Sequence, residues 1–339
     1  MTRNKNISDI YGLSSLQSGL LFESVYKQNK DVYFIQNIYE LKGELNVEAW
    51  QNAWQFTINS HESLRASFYW EKINEPVQII YKYVKATWKI CSWDKAGNHK
   101  KKLAKLAKEE STKGFDLTKA PLMRFNLIKV ANNKYYFIWN KHHIILDGWC
   151  LPIIFQEVVE NYQKIISSQT LKPSIRRPYK NYITWLKTQD TKHATRYWAD
   201  LLQGCKSAKL GNTANESDGN YRFSFNTKDT QSLSQFAKKN NVTLNTLIQV
   251  VWGMVLAKLT RQNDIVFGVT ISGRHIDLDG IEGMIGLFIN TIPLRIKFKA
   301  NEKISNLALN IQNTMSESLT HSYLSLLFNS AYVICLPAS

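Results

Sequence analysis

No stretch of this chain reads as a membrane span. The most apolar long run, Leu247 to Leu259, is interrupted by Gln249 and Lys258. It also falls short of the roughly 20 residues that a bilayer crossing needs. The opening MTRNKNISDI lacks the apolar core of a secretory signal. Cysteine is scarce: Cys91, Cys150, Cys205 and Cys335 stand apart without C-x-x-C spacing. Neither a disulfide framework nor a zinc site is indicated, and a reduced cytoplasm is the expected setting. Acidic residues are outnumbered, 27 Asp and Glu against 43 Lys and Arg, for a formal net charge of +16. The densest basic run, Lys100-Lys101-Lys102 with Lys105 and Lys108, carries Leu103 and Leu106 at helical spacing. It reads as a solvated helix face, and without a recognised binding motif neither nucleic acid nor membrane is an expected partner.

What is present is a globular composition. The 339 residues are 44% hydrophobic and 12% aromatic, enough for a sizeable core and too apolar for a disordered chain. That length suggests two domains or two lobes of one. Residues 33–41 are strand-like, whereas 46–58 form a helical pattern burying Val47, Trp50 and Trp54. Extended patterns follow at 64–70, 76–83 and 121–130, with the Lys-rich helix between them. Residues 135–139 (YYFIW) read as a buried strand, and Ile154, Val158, Tyr162 and Ile165 share a helical stripe. Periodicity stops over 168–178, where two prolines appear, which places the expected division at residues 1–170 and 171–339. Beyond it come a helical segment over 179–202, a polar loop over 208–220 and a helix over 244–259. Strands are expected at 265–270 and 292–298. Strands and helices mixed in both halves predict an α/β (α+β) chain of two lobes.

The strongest local signal is HHIILDGW, residues 142–149, at the end of the buried strand. Neighbouring side chains on a strand point to opposite faces, so His142 and His143 cannot share one job. Either imidazole titrates near ~6.5 when unperturbed and could accept a proton at neutral pH. Gly148 would permit a positive φ and a sharp turn into the next helix. A metal site made of His142, His143 and Asp147 would be unusual, because the histidines diverge and no fourth ligand is near. From these eight residues alone, a general base and a strand end with one buried histidine remain equally open.

Further segments, taken in order, resemble the condensation domains of nonribosomal peptide synthetases, whose central signature is HHxxxDG. Leu13–Phe22 (LSSLQSGLLF) is similar to the opening motif. His61–Phe68 (HESLRASF) is similar to the second, with Ser60 where Arg is usual and Ala66 where Thr is usual. Tyr179–Trp185 (YKNYITW) is similar to the motif opening the second lobe, with Asn181 in place of Asp. Ser272-Gly273-Arg274 and Ile285–Arg295 (IGLFINTIPLR) resemble the later motifs. His321–Leu326 resembles the start of the next one, with Ser325 where Pro is frequent. The tail FNSAYVICLPAS matches nothing in the family pattern, so a C-terminally truncated second lobe, with weakened stability and activity, is expected.

The resemblance implies a chloramphenicol acetyltransferase-like fold, two lobes in a V with HHxxxDG at the floor of a central tunnel. It implies that His143 is catalytic or positions the reacting amine, and that His142 is structural. Asp147 would form an ion pair holding the loop, with Arg65 as its partner. Gly148 and Trp149 would shape the turn and the tunnel wall, and Asn290, Ser272 and Arg274 would stand by the tunnel. The implied reaction forms an amide between a donor acyl or peptidyl thioester and an acceptor aminoacyl thioester. Both would be carried on phosphopantetheine of donor and acceptor peptidyl carrier proteins, beside an adenylation domain, and the domain itself would bind no cofactor and no metal. The basic excess would suit acidic carriers, and Cys150 after HHIILDGW, together with the LQSGLLF opening, is similar to members that receive a donor ending in a D-residue. A carrier-docking remnant without catalysis and a related epimerisation domain are the alternatives.

Overall fold

The computed structural model describes residues 6–26, 33–93, 97–173, 175–205 and 222–324. The polar stretch 208–220, Ser325 and the tail from 328 onward lie outside the described residues. The chain divides into two compact units. The first runs to Gln189 and takes back Ile276–Ile289; the second holds Asp190–His275 and the chain from Asn290.

In the first unit, four strands form one sheet in the order β2 (Phe34–Lys42), β7 (Lys134–His142), β6 (Met123–Ala131), β5 (Thr87–Ser92). Its pairs are antiparallel except β5 with β6, which is parallel. Strand alternation sends Phe137 and Trp139 to one face, where they meet Trp54 at 5.5 and 4.9 Å. Helices α2 (Val47–Ser60) and α4 (Cys150–Ile166) supply that side of the core: Trp50, Trp54 and Ile58 from one, Ile154 and Val158 from the other. Asn46 caps α2 by accepting the amide of Ala49 at 3.0 Å. Ile138 points to the opposite face and clusters with Leu106 of the Lys-rich helix α3 (His99–Lys113). Lys100, Lys101, Lys102, Lys105 and Lys108 are all exposed, as a solvated face requires.

A second sheet, β1 (Ile7–Gly12), β4 (Val77–Tyr81), β3 (Ala66–Tyr69), is antiparallel and carries helix α1 (Ser15–Tyr26) just after its first strand. Tyr11, Ala66 and Ile80 from this sheet pack with Tyr179, Tyr182, Ile183, Met284 and Phe288. That packing, with the Lys180–Asp9 ion pair at 2.6 Å, draws residues 179–189 into the first unit. The sequence assigned everything after 170 to the second lobe, because its prolines interrupt periodicity there. Proline ends a local pattern without deciding which core the following aromatics join.

The helical segment over 179–202 is two helices, α5 (Lys180–Lys187) and α6 (Thr191–Leu202). The first ends with Thr188 as its C-cap, and Asp190 caps the second by accepting the amides of Lys192 and His193. The second unit adds α7 (Thr227–Lys239), α8 (Leu244–Thr260), the antiparallel pair β8 (Asp264–Ile271) and β9 (Asn290–Lys297), and α9 (Ile304–Thr320). Its core joins Trp198, Leu247, Val250, Ile292, Leu294, Ile296, Leu307 and Ile311. Gly253 lets α8 approach β9 closely, since a Cβ there would lie 2.7 Å from Cδ1 of Ile296. The buried stripe of α8 runs through Leu247, Val250 and Leu256, while Ile248, Val251, Trp252, Val255 and Leu259 are exposed. Among the described residues no single helix is long and apolar enough to cross a membrane.

Candidate functional site

Strand β7 ends at His142, and His143 opens a short 3₁₀ turn, His143–Ile145. His142 is buried, and its Nδ1 accepts the amide of Ile144 at 3.2 Å. That nitrogen is therefore unprotonated, which leaves His142 neutral with its proton on Nε2. His143 is half-buried, and its Nδ1 lies 3.0 Å from the carbonyl of Leu146. A carbonyl only accepts, so Nδ1 carries a proton, and in the neutral ring Nε2 is then the nitrogen with the lone pair. Nε2 has no hydrogen-bond partner among the described residues. The adjacent rings are thus tied to the backbone in opposite senses, His142 Nδ1 accepting an amide and His143 Nδ1 donating to a carbonyl.

The turn is clamped by partners distant in sequence. The amide of His143 donates to the carbonyl of Tyr33 at 2.9 Å. Gln17 of α1, itself 1% exposed, donates to the carbonyl of Ile144 at 3.1 Å and accepts from Gln78 and from the amide of Ser14. On the other side runs the segment 285–289. Ser63 donates to the carbonyl of Ile285, and the Asp147 amide to that of Gly286. Tyr179 donates to the carbonyl of Leu287 at 2.6 Å. Gly286 is required there, because a Cβ would sit 2.1 Å from the buried ring of Tyr179.

Asp147 is 1% exposed and its carboxylate is a backbone acceptor. One oxygen takes the amide of Trp149 at 3.0 Å and the thiol of Cys150 at 3.4 Å; the other takes the amide of Phe288 at 2.9 Å. Arg65 donates instead to the carbonyl of Tyr81 and lies in the field of Glu62. Among the described residues no ion pair joins Arg65 to Asp147. The expected pair gives way because the carboxylate already has two backbone N–H donors, one of them on the crossing segment.

Gly148 also departs from expectation: its φ is not positive, and a Cβ there would meet nothing within 4 Å. The Asx turn made by Asp147 onto the Trp149 amide supplies the bend without a left-handed residue. Trp149 is 58% exposed.

Three expected residues, Asn290, Ser272 and Arg274, belong to the second unit. Asn290, at the start of β9 in the second unit, donates to the carbonyls of Ser322 at 2.6 Å and Leu324 at 3.1 Å. It staples the turn after α9. Ser272 accepts the amide of Arg274 at 3.3 Å around Gly273, whose φ is +68°.

Two buried groups by the site escaped the sequence reading. Lys141, 1% exposed, donates to Asn37 and stands 4.1 Å over the ring of Trp139. Desolvation pulls its pKa down to about 7. Its signal was a lysine inside a run of strand residues. Gln17 was visible only as part of the LQSGLLF motif, because its partner lies 127 residues away.

The condensation domain family model matches residues 7–327. Bacitracin synthase 1 of Bacillus licheniformis is 38% identical over 331 residues, covering 94% of this chain and 6% of that protein. Gramicidin S synthase 2 of Brevibacillus brevis is 33% identical over 331 residues, covering 95% of this chain and 7% of that protein. The chain therefore spans only a small part of the length of these relatives. The first condensation domain of the calcium-dependent antibiotic synthetase superposes with a TM-score of 0.77 at 15% identity, over 94% of this chain and 76% of that one. A four-domain nonribosomal peptide synthetase solved in its holo form, bound to AMP and glycine, gives 0.80 at 18% identity, over 98% and 25%. At such identities the superpositions establish the fold, the mixed α/β, chloramphenicol acetyltransferase-like fold that the motifs implied. Since the family match runs through nearly the whole chain and carries the HHIILDGW turn with it, this chain belongs to the condensation domain family, an acyltransferase-type family of nonribosomal peptide synthetases.

Proposed function

We propose that this chain joins a donor acyl or peptidyl thioester to the amine of an acceptor aminoacyl thioester, with both substrates tethered to phosphopantetheine on peptidyl carrier proteins. The single observation carrying this reading is the contact of His143 Nδ1 with the Leu146 carbonyl at 3.0 Å, which in the neutral ring leaves Nε2 as the acceptor. The acceptor amine attacks the donor carbonyl carbon, and the C–N bond forms. His143 Nε2 takes the proton that leaves nitrogen, the C–S bond breaks, and the ring passes that proton to the departing sulfur, giving the free carrier thiol and a neutral His143. An α-amino group has a pKa near ~8, so part of it is neutral at physiological pH and the main demand is orientation. Holding two tethered reactants in line can supply ~7–11 kcal/mol of barrier lowering. The reading needs no cofactor in the domain itself, and an adenylation domain would load the acceptor carrier.

The test mixes the chain with an acyl-loaded donor carrier and an aminoacyl-loaded acceptor carrier and follows the acceptor by intact mass. A mass gain that falls by about 10²-fold or more in His143→Ala is the expected result. Near-normal turnover by that variant overturns the role of His143. An inverted stereocentre without mass gain indicates epimerisation, and carrier binding with neither product indicates a docking function.

A further inference from the structure

Cys150 begins α4 three residues after Asp147, and it is completely buried. Its sulfur faces both backbone groups of one distant residue: the thiol lies 3.2 Å from the carbonyl of Gly286, and the amide of Gly286 donates to the sulfur at 3.4 Å. The same thiol reaches Asp147 Oδ1 at 3.4 Å, and the Asp147 amide reaches the same Gly286 carbonyl at 3.2 Å. A thiol has one proton, so its two acceptors share it while the sulfur lone pair takes the Gly286 amide. The result resembles a rung of a β-ladder with a side chain standing in for one strand. No water reaches it, and the Tyr179 ring closes the other side of Gly286.

We propose that the Cys150 thiol is a positioning group for His143, fastening the His143–Asp147 turn to segment 285–288 and thereby keeping the Leu146 carbonyl under Nδ1. Cys150 touches no reacting atom in this scheme; it acts through Asp147 and Leu146. The catalytic consequence rests on the reading of His143 given above. Packing alone would be served by any side chain of similar volume. A hydrogen-bonding role is served by serine, which keeps a donor and an acceptor, and not by valine, which fills the space and satisfies neither backbone group of Gly286.

The test compares Cys150→Ser, Cys150→Val and Cys150→Ala with the wild-type chain. Amide hydrogen exchange at Gly286 and Phe288 is read together with the ¹⁵N shifts of the His143 ring. Exchange across β6 and β7 serves as the control for intact folding. In Val and Ala, exchange at Gly286 and Phe288 rises about tenfold and the His143 ring loses its single Nδ1–H tautomer signature, while Ser stays close to wild type. In the condensation assay, kcat falls about tenfold in Val and Ala with KM for both carriers unchanged, and Ser restores it. Wild-type exchange and ring shifts in Val overturn the proposal, as does an equal loss of kcat in Ser and Val. Should the wild-type chain form no amide, the functional reading fails, and the exchange and ring shifts still decide whether the thiol holds the turn.

Discussion

The partner of Asp147 decides between two accounts of what holds the site, and a double-mutant cycle with Arg65 separates them. If the carboxylate works by accepting backbone amides, Asp147→Asn keeps an oxygen for one of them and turns an NH₂ toward the other. The Phe288 amide, now 2.9 Å from a carboxylate oxygen, faces a donor. Losing a charge-assisted bond costs about 1.5–3 kcal/mol, and a buried unsatisfied N–H costs about 1–3 kcal/mol. Part of each is the same group, so Asp147→Asn is expected to cost about 2–3 kcal/mol. Arg65→Met loses the bond to the Tyr81 carbonyl and the attraction of Glu62, neither of which involves Asp147. Two changes without a shared partner should add to within about 0.5 kcal/mol. A buried ion pair would behave differently, because breaking it from one side costs about 3–5 kcal/mol and removing both partners relieves much of that. Urea midpoints at constant m-value for the two single variants, the double variant and the parent give the coupling directly. A coupling above about 2 kcal/mol would refute the backbone-acceptor account.

The two glycines flanking this network should respond in opposite ways. Gly286→Ala drives a Cβ into the buried Tyr179 ring and should cost about 3 kcal/mol, whereas Gly148→Ala, with open space and an ordinary φ, should stay within about 0.5 kcal/mol in thermal or urea unfolding. Equal losses would mean that the turn is not built as described. Lys141 predicts a pH effect. Its pKa falls from a normal ~10.4 in the unfolded chain to about 7 in the folded one, so the unfolded chain binds the extra proton between those values. Its contribution is fully present above the unfolded pKa, is lost as pH falls toward about 7, and is constant below. Lys141→Met should unfold at higher urea than the parent at pH 7, and the gap should narrow by pH 9. A gap that does not change with pH would contradict the desolvated amine.

Much of the first unit was legible because its elements are periodic. The stripe of Trp50 and Trp54 announced α2, and YYFIW announced β7. Strand alternation predicts that His142 and His143 diverge, but the strand stops at His142 and His143 opens a 3₁₀ turn, so the separate roles of the two rings come from the turn. Elements without a clean signal went unread. Strand β5 carries alternation too weak to separate from a loop. Helices α7 and α9 are polar enough over most of their length that their apolar stripes did not stand out.

The amino-acid sequence by itself determined the family, the strong helices and strands, and the residue types gathered at HHIILDGW, because those are local or ordered along the chain. Only the tertiary structure decided what each group there does. Asp147 reaches an amide 141 residues away, Cys150 a glycine 136 away, and Gln17 a carbonyl 127 away. It also decided that Ile276–Ile289, flanked by strands of the second unit, is built into the first. No periodicity encodes such pairings. They are set when separate stretches bury their apolar faces together and the polar groups left inside must find partners among whatever backbone the packing has brought near.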